Sequence, residues 1–389
     1  MIILDKPYVS ELLKNTISDN NFKLLETNFS KKLNFKTNPE FISEKEAVKE
    51  LDVTESPLVY SNSENAISWI NANLSNTLLP QRINIFKDKI RFRELIADIY
   101  PDFFFKEVNL INIDSLDINK IPKPFIIKPS VGFFSMGVYK IENNNDWDIF
   151  LQSIKKEIKN TKGLYPEDVV NSDKFIIEQM IEGDEYAFDL YYNDKGEPVV
   201  LGIFKHLFAS ADDVSDRVYF TNKNIINDNI KMFTEFGEKL GERTSLKNFP
   251  VHIEVRVSNN KMIPIEVNPM RFGGWCTTAD LTAFAYNLNP YEYYFNQKKP
   301  DWEMILKNKD NLNYSMIILD NSTGYKVEEI TDFDYNALLK EFSNPLDLRK
   351  TDWNEYPVFG ILFTESHDDK FDEIINILTS DLKEFVKTI

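Results

Sequence analysis

A chain of 389 residues, 42% apolar and 28% charged with 30 Phe and 17 Tyr, has the composition of an ordered globular protein, long enough for two or three lobes. Its formal charge of −17 argues against a nucleic-acid backbone or an anionic membrane surface as the main partner, since both would repel it. Cys276 has no second cysteine to pair with, and one cysteine with three histidines cannot build a Cys/His zinc site, so the cytosol is the expected compartment; no apolar run approaches the roughly 20 residues that cross a bilayer.

In chain order, residues 1–85 alternate short apolar runs with amphipathic stretches, which predicts an α/β lobe whose opening segment, MIILDKPYVS, is a first strand and not a signal peptide. No glycine occurs before Gly132, so a dinucleotide-binding G-x-G-x-x-G loop is excluded there. A helical stretch, DKIRFRELIADIY, precedes a strand-like PFIIKPS, a loop bounded by Gly132 and Gly137, and a second strand, GVYKI. A charged helix over 146–159 leads to the strand KFIIEQM and to a hairpin built from IEGDEYAFDLYY and PVVLGIFKH. A helix over 230–243 and a further hairpin, VHIEVRV and MIPIEVN, complete a central domain over 86–304, whose smaller subdomain spans about 123–180. Residues 305–389 read as strand, helix, two strands and helix, a small C-terminal α/β subdomain serving as part of a substrate wall or as a homodimer contact.

The last hairpin of the central domain carries the densest chemistry. Side chains alternate along a strand, so His252, Glu254 and Arg256 share one face and Glu266 and Asn268 share another. A three-residue turn, Asn259–Lys261, sets Glu254 opposite Glu266; a two-residue turn puts them on opposite faces and leaves a solvated surface. Opposed carboxylates need a cation, and two carboxylates with an amide suit Mg²⁺, whose remaining positions go to phosphate and water. Lys128 at a strand end, followed by a glycine-bounded turn, offers charge and N–H groups to a polyphosphate, or is merely a hairpin turn. In FIIEQMIEGDE the backbone of Gln179–Ile181 can read an adenine edge and Glu185 can accept from ribose hydroxyls, unless the segment is a charged loop.

Taken together, Asp88-Lys89, Lys128-Pro129-Ser130 with Gly132 and Gly137, Glu178 through Glu185, and Glu254 with Glu266-Val267-Asn268 resemble the ordered motifs of the ATP-grasp superfamily across about 85–300. That resemblance implies an ATP-grasp fold behind a Rossmann-like N-terminal lobe. It implies ATP and Mg²⁺, or Mn²⁺, as cofactors: Lys89, Lys128 and Lys205 on the phosphates, Glu178, Gln179 and Ile181 at the adenine, Glu185 on the ribose, and Glu254, Glu266 and Asn268 on the metal. The loop departs from the pattern in carrying Phe133 and Phe134 as a hydrophobic cover, with Ser135 left as a donor. The segment NPMRFGGW resembles the carboxylate–amine ligase branch, in which Arg271 would meet an acyl phosphate. The implied partners are small carboxylate and amine substrates. Arg217 and Tyr219 are placed at the substrate, and Phe272 and Trp275 beside an apolar side chain or in the core. Carboxylation, phosphorylation of another acceptor, or a silent ATP-binding module are the alternatives.

Overall fold

The computed structural model describes every residue except 133–136, 162–173, 211, 212 and 214. Ser135, Phe133 and Phe134 therefore lie outside the described residues. Four two-residue strands, β1 (Ile2–Ile3), β2 (Leu24–Leu25), β3 (Phe41–Ile42) and β4 (Tyr60–Ser61), form a parallel sheet in the order β3-β2-β1-β4. Such short strands persist because nearly all of their side chains are buried. The helix Glu11–Asn20 starts at Ser10, whose hydroxyl accepts from the Leu13 N–H, and buries Leu13, Thr16 and Ile17 at helical spacing. This is the expected α/β lobe.

A second sheet holds β5 (Phe105–Asn109), β6 (Phe125–Pro129), β7 (Tyr139–Ile141) and β8 (Lys174–Gln179), antiparallel in the order β5-β8-β6-β7. Phe125, Ile127, Phe175 and Ile177 on its inner face pack with Trp147 and Phe150 of the helix Asn144–Thr161 into a core of their own. This sheet takes in β5, which begins at Phe105, ahead of the start near 123 expected for the smaller subdomain.

The largest sheet contains β9 (Asp184–Tyr192), β10 (Pro198–Leu207), β11 (Val218–Asn222), β12 (Phe249–Ser258) and β13 (Lys261–Pro269). The C-terminal segment adds β14 (Leu312–Asp320), β15 (Ile330–Phe333), β16 (Asn344–Lys350), β17 (Val358–His367) and β18 (Val386–Thr388). Its order is β13-β12-β9-β10-β11-β14-β17-β16, with β15 and β18 paired separately. The C-terminal segment thus continues the central sheet through β11 and β14 instead of packing as a detached unit. One apolar core runs from Ile2 and Leu24 to Phe188, Phe233 and Phe363, joining the first lobe to the central sheet. No helix is long and apolar enough to cross a membrane among the described residues.

Gly183 joins β8 to β9 at φ 116°, where a Cβ would sit 2.3 Å from the Val257 carbonyl oxygen. Only glycine fits this close approach between the small sheet and β12. Gly183→Ala is expected to destabilise the fold by about 1–3 kcal/mol, which thermal unfolding will measure; an unchanged Tm would show that the crossing rearranges freely.

Candidate active site

The hairpin turn has two residues, Asn259 and Asn260, at φ 51° and 58°, the left-handed pair that a tight hairpin requires and asparagine tolerates. Ser258 accordingly pairs with Lys261, not with Met262. By turn length alone, Glu254 would face Ile265. Instead the register shifts between Val255 opposite Pro264 and Glu254 opposite Glu266, so Ile265 is the extra residue of a β-bulge. The three-residue turn is thus corrected, while the apposition of Glu254 and Glu266 arises by another route. His252 stands opposite Asn268, which brings Glu254, Glu266 and Asn268 to one face.

Charge around this face is unevenly balanced. Glu266 Oε1 accepts from Asn268 Nδ2 at 3.0 Å and Oε2 meets Lys89 Nζ at 3.1 Å. Burial disfavours its charge, but Lys89 and Lys128 outweigh burial and hold Glu266 well below the usual carboxylate range. Burial pushes Glu254 well above that range, helped by Glu266, Asp216 and Glu185. A half-buried carboxylate pair lacking enough positive charge for both members is a setting that a divalent cation fits. Among the described residues no group of three or more His, Cys, Asp or Glu side chains can hold a metal ion. The set here is two carboxylates and an amide, which leaves the remaining positions to oxygens of a bound molecule.

The lysines reach this face from separate elements. Lys89 opens the helix Lys89–Leu95, capped by Asp88, and its Nζ also lies 3.3 Å from the Gly132 carbonyl. Lys128, on β6, contacts Glu178 Oε2 at 2.7 Å, while Arg93 occupies Glu178 Oε1. Burial would raise the Glu178 carboxyl, yet Arg93 and Lys128 bring it down to about 2. Both Glu178 oxygens are engaged, so this residue positions Lys128 and does not present a free carboxylate to an adenine. Gln179 likewise spends its side-chain oxygen on the Phe104 N–H at 2.8 Å, and the Ile181 carbonyl accepts from Arg256 at 2.8 Å.

Glu185 points to the same face of the central sheet as Glu254, since Arg256 pairs with Glu185 and Glu254 with Ala187. Its two oxygens meet His206 Nδ1 and Arg256 Nε, each at 3.0 Å. Burial opposes ionisation of Glu185, but these partners keep it below the ordinary range. Lys205 pairs with Tyr186 across β9 and β10 and reaches Asp184 at 2.7 Å, on the reverse of the sheet. Strand alternation gives the site position to His206, so Lys205 does not join Lys89 and Lys128.

Arg271 ends the hairpin. Its Nη2 contacts Glu64 at 2.8 Å and its Nη1 donates to the Phe272 carbonyl at 2.9 Å. Burial would lower its basicity, but Glu64, Glu254 and Glu266 keep it charged. Arg217 does not reach this site: it binds Asp320, Ser322 and the carbonyls of Ile377 and Ser380, tying β11 to the C-terminal segment. Phe272 is fully buried against Tyr60 and Tyr291, which makes it core, whereas Trp275 sits edge-on to Tyr356 at 5.0 Å. Tyr219 stacks on His206 at 4.2 Å and donates to Asp216. Sequence reasoning missed Glu64 and Arg93; it set Arg256 on the Glu254 face by strand alternation but gave neither Arg256 nor His206 a role. Of the two missed residues, Arg93 left a local signal, four residues after Lys89 on one helix face.

Residues 121–279 match the family described as ATP-grasp domain. The chain has the ATP-grasp fold, and the match to the domain family covers this central segment. Among solved structures, the L-amino acid ligase from Bacillus licheniformis superposes with TM-score 0.66 at 13% identity, covering 100% of this chain and 98% of that one. Biotin carboxylase from Campylobacter jejuni, solved with β,γ-ATP, gives TM-score 0.64 at 11% identity over 94% and 87% of the two chains. N5-carboxyaminoimidazole ribonucleotide synthetase from Thermotoga maritima gives 0.62 at 13% identity over 100% and 98%. At these identities the likeness carries the fold and not the reaction. No curated protein matches the sequence.

Glu64 bridges Lys87 and Arg271, joining the first lobe to the site. Burial would raise its carboxyl, but Lys87 and Arg271 draw it from 4.5 down to about 2. A depressed carboxyl stabilises the fold fully above pH 4.5 and loses that contribution as pH falls toward 2, on the order of 3 kcal/mol. Glu64→Gln should therefore unfold at lower temperature than wild type at neutral pH, with the gap closing across that acidic window; a gap independent of pH would contradict the pairing.

Proposed function

We propose that the chain is an ATP-dependent carboxylate–amine ligase, which phosphorylates a small carboxylic acid and transfers the acyl group to an amine with release of ADP and phosphate. The observation that supports it most is the convergence of Glu254, Glu266 and Asn268 on one face with Lys89 beside them and Arg271 at the strand end. Two carboxylates and an amide suit Mg²⁺, with Mn²⁺ as a substitute, and such an ion would neutralise charge on a polyphosphate.

A carboxylate is a poor acyl donor because oxide is a poor leaving group, and conversion to an acyl phosphate supplies a good one. Lys128 and Lys89 would hold the nucleotide phosphates and stabilise the equatorial oxygens as the substrate carboxylate attacks the terminal phosphorus. Glu178 and Arg93 keep Lys128 in place. Glu185, fixed by His206 and Arg256, is the proposed ribose acceptor, and the backbone of Gln179–Ile181 the proposed adenine edge. Arg271 would donate to the oxyanion as the amine attacks and phosphate departs. Water must be kept from the acyl phosphate throughout.

Incubation with ATP, Mg²⁺ and pooled amino acids and small carboxylic acids, followed by product mass and ADP release, tests this reading. ADP with a condensed amide supports it. A phosphorylated or carboxylated product without amide formation would replace it with another ATP-grasp chemistry, and AMP formation would overturn the acyl-phosphate route. Glu266→Gln and Asn268→Ala should each lower turnover by about 10²-fold or more. Lys128→Ala should weaken ATP dependence; unaffected kinetics in these variants would remove the residues from the site.

A further inference from the structure

Arg93 is the largest fully buried side chain among the described residues, 2% exposed, and it belongs to the short helix that also carries Lys89. Three of its features go together. Its Nε grips Glu178, the residue that holds Lys128. Its Nη1 donates at 2.7 Å to the carbonyl of Pro264, the residue immediately before the bulged Ile265. Its guanidinium lies 4.4 Å from the centroid of the Phe103 ring, while Nη2 is buried with no partner among the described residues.

One helix face therefore holds β13 at two points that flank the bulge. Arg93 takes the Pro264 carbonyl, and Lys89, one turn earlier, takes the Glu266 carboxylate. The same helix is joined to the small sheet by Arg93 through Glu178 and by the Lys89 N–H, which donates to the Ser130 carbonyl at 2.8 Å. We propose that Arg93 is a positioning residue that couples the phosphate lysine, Lys128, to the bulge that aligns Glu266 with Glu254. The coupling deepens the nucleotide reading given above and rests on it.

The physical reason is the rigid fork of the guanidinium. A carboxylate shared by Arg93 and Lys128 leaves one net positive charge in the group; without Arg93, Glu178 cancels Lys128 and the group is neutral. A lysine at 93 would restore the charge, but its single ammonium lacks the planar fork that reaches a carboxylate and the Pro264 carbonyl together.

The test is ATP binding by calorimetry, with and without Mg²⁺, on variants whose folding is checked by circular dichroism. Arg93→Met should weaken Mg²⁺-ATP binding about tenfold or more, and adding Glu178→Gln should bring it back to within about threefold of wild type, because Lys128 is then no longer neutralised. Arg93→Lys should bind ATP without Mg²⁺ much as wild type does but show a smaller tightening when Mg²⁺ is added. Wild-type affinity in folded Arg93→Met, or a double variant no better than the single one, overturns the coupling. If Arg93→Met does not fold, Arg93→Lys decides: full Mg²⁺ tightening rejects the proposal and reduced tightening supports it. Failure of the wild-type chain to bind ATP under any condition would overturn the nucleotide reading itself and this coupling with it.

Discussion

Glu254 and Glu266 stand opposite each other on a largely buried sheet face, and their mutual repulsion is the constraint around which the site is organised. Each nearby cation comes from a different part of the chain. Lys89 arrives on a helix, Lys128 on the small sheet, and Arg271 from the end of the hairpin, where the first lobe secures it through Glu64. Lys89 and Lys128 lower the cost of ionising Glu266, whereas at Glu254 the attraction of Arg271 is outweighed by burial and the neighbouring carboxylates, which leaves the pair short of positive charge. Docking the lobes together is therefore the same event as assembling the charge balance.

Long polar side chains also serve as ties away from this face. Arg217 fastens β11 to the C-terminal segment through Asp320 and the carbonyls that end the helix Asp372–Thr379. Arg349 of β16 pairs with Asp280, which also accepts from Ser10 at 3.0 Å, so one buried ion pair touches the first lobe, the central domain and the C-terminal segment. Burial raises the Asp280 carboxyl to about 6 despite Arg349. Such a pair specifies how the three parts meet more than it adds stability, because desolvation offsets much of the attraction. The hydroxyl of Tyr294 similarly lies 2.8 Å from the carbonyls of both Val59 and Asn248, one from each side of the first interface, and its single hydrogen serves one or the other.

The local amino-acid pattern was sufficient for several features, and each had a short-range physical basis. Alternation of Glu254 with His252 and Arg256, the helical stretch that opens at Asp88 and the apolar strands around Lys128 depend on neighbours close in sequence. The order of these segments was enough to recognise an ATP-grasp domain, later matched over 121–279. Lys205 and Arg217 were misplaced because a strand-end lysine or loop arginine carries no local mark of its side of the sheet. Phe272 was ambiguous for a similar reason, and packing against Tyr60 resolved it as core.

By itself, then, the sequence determined the element types, the segments bearing chemistry and the pool of acids and lysines available to it, since all of these follow from periodicity, turn chemistry and residue type. Tertiary structure alone decided which members of that pool meet. The two-residue turn suggested that Glu254 and Glu266 would point apart, and a bulge at Ile265, held from outside the hairpin by Arg93 on the Pro264 carbonyl, brings them together. Glu64 and Arg271 are 207 residues apart, as are no elements that a local pattern can relate. Charge pairing between distant buried groups depends on the packing of whole lobes, and that packing is where the site acquires its geometry.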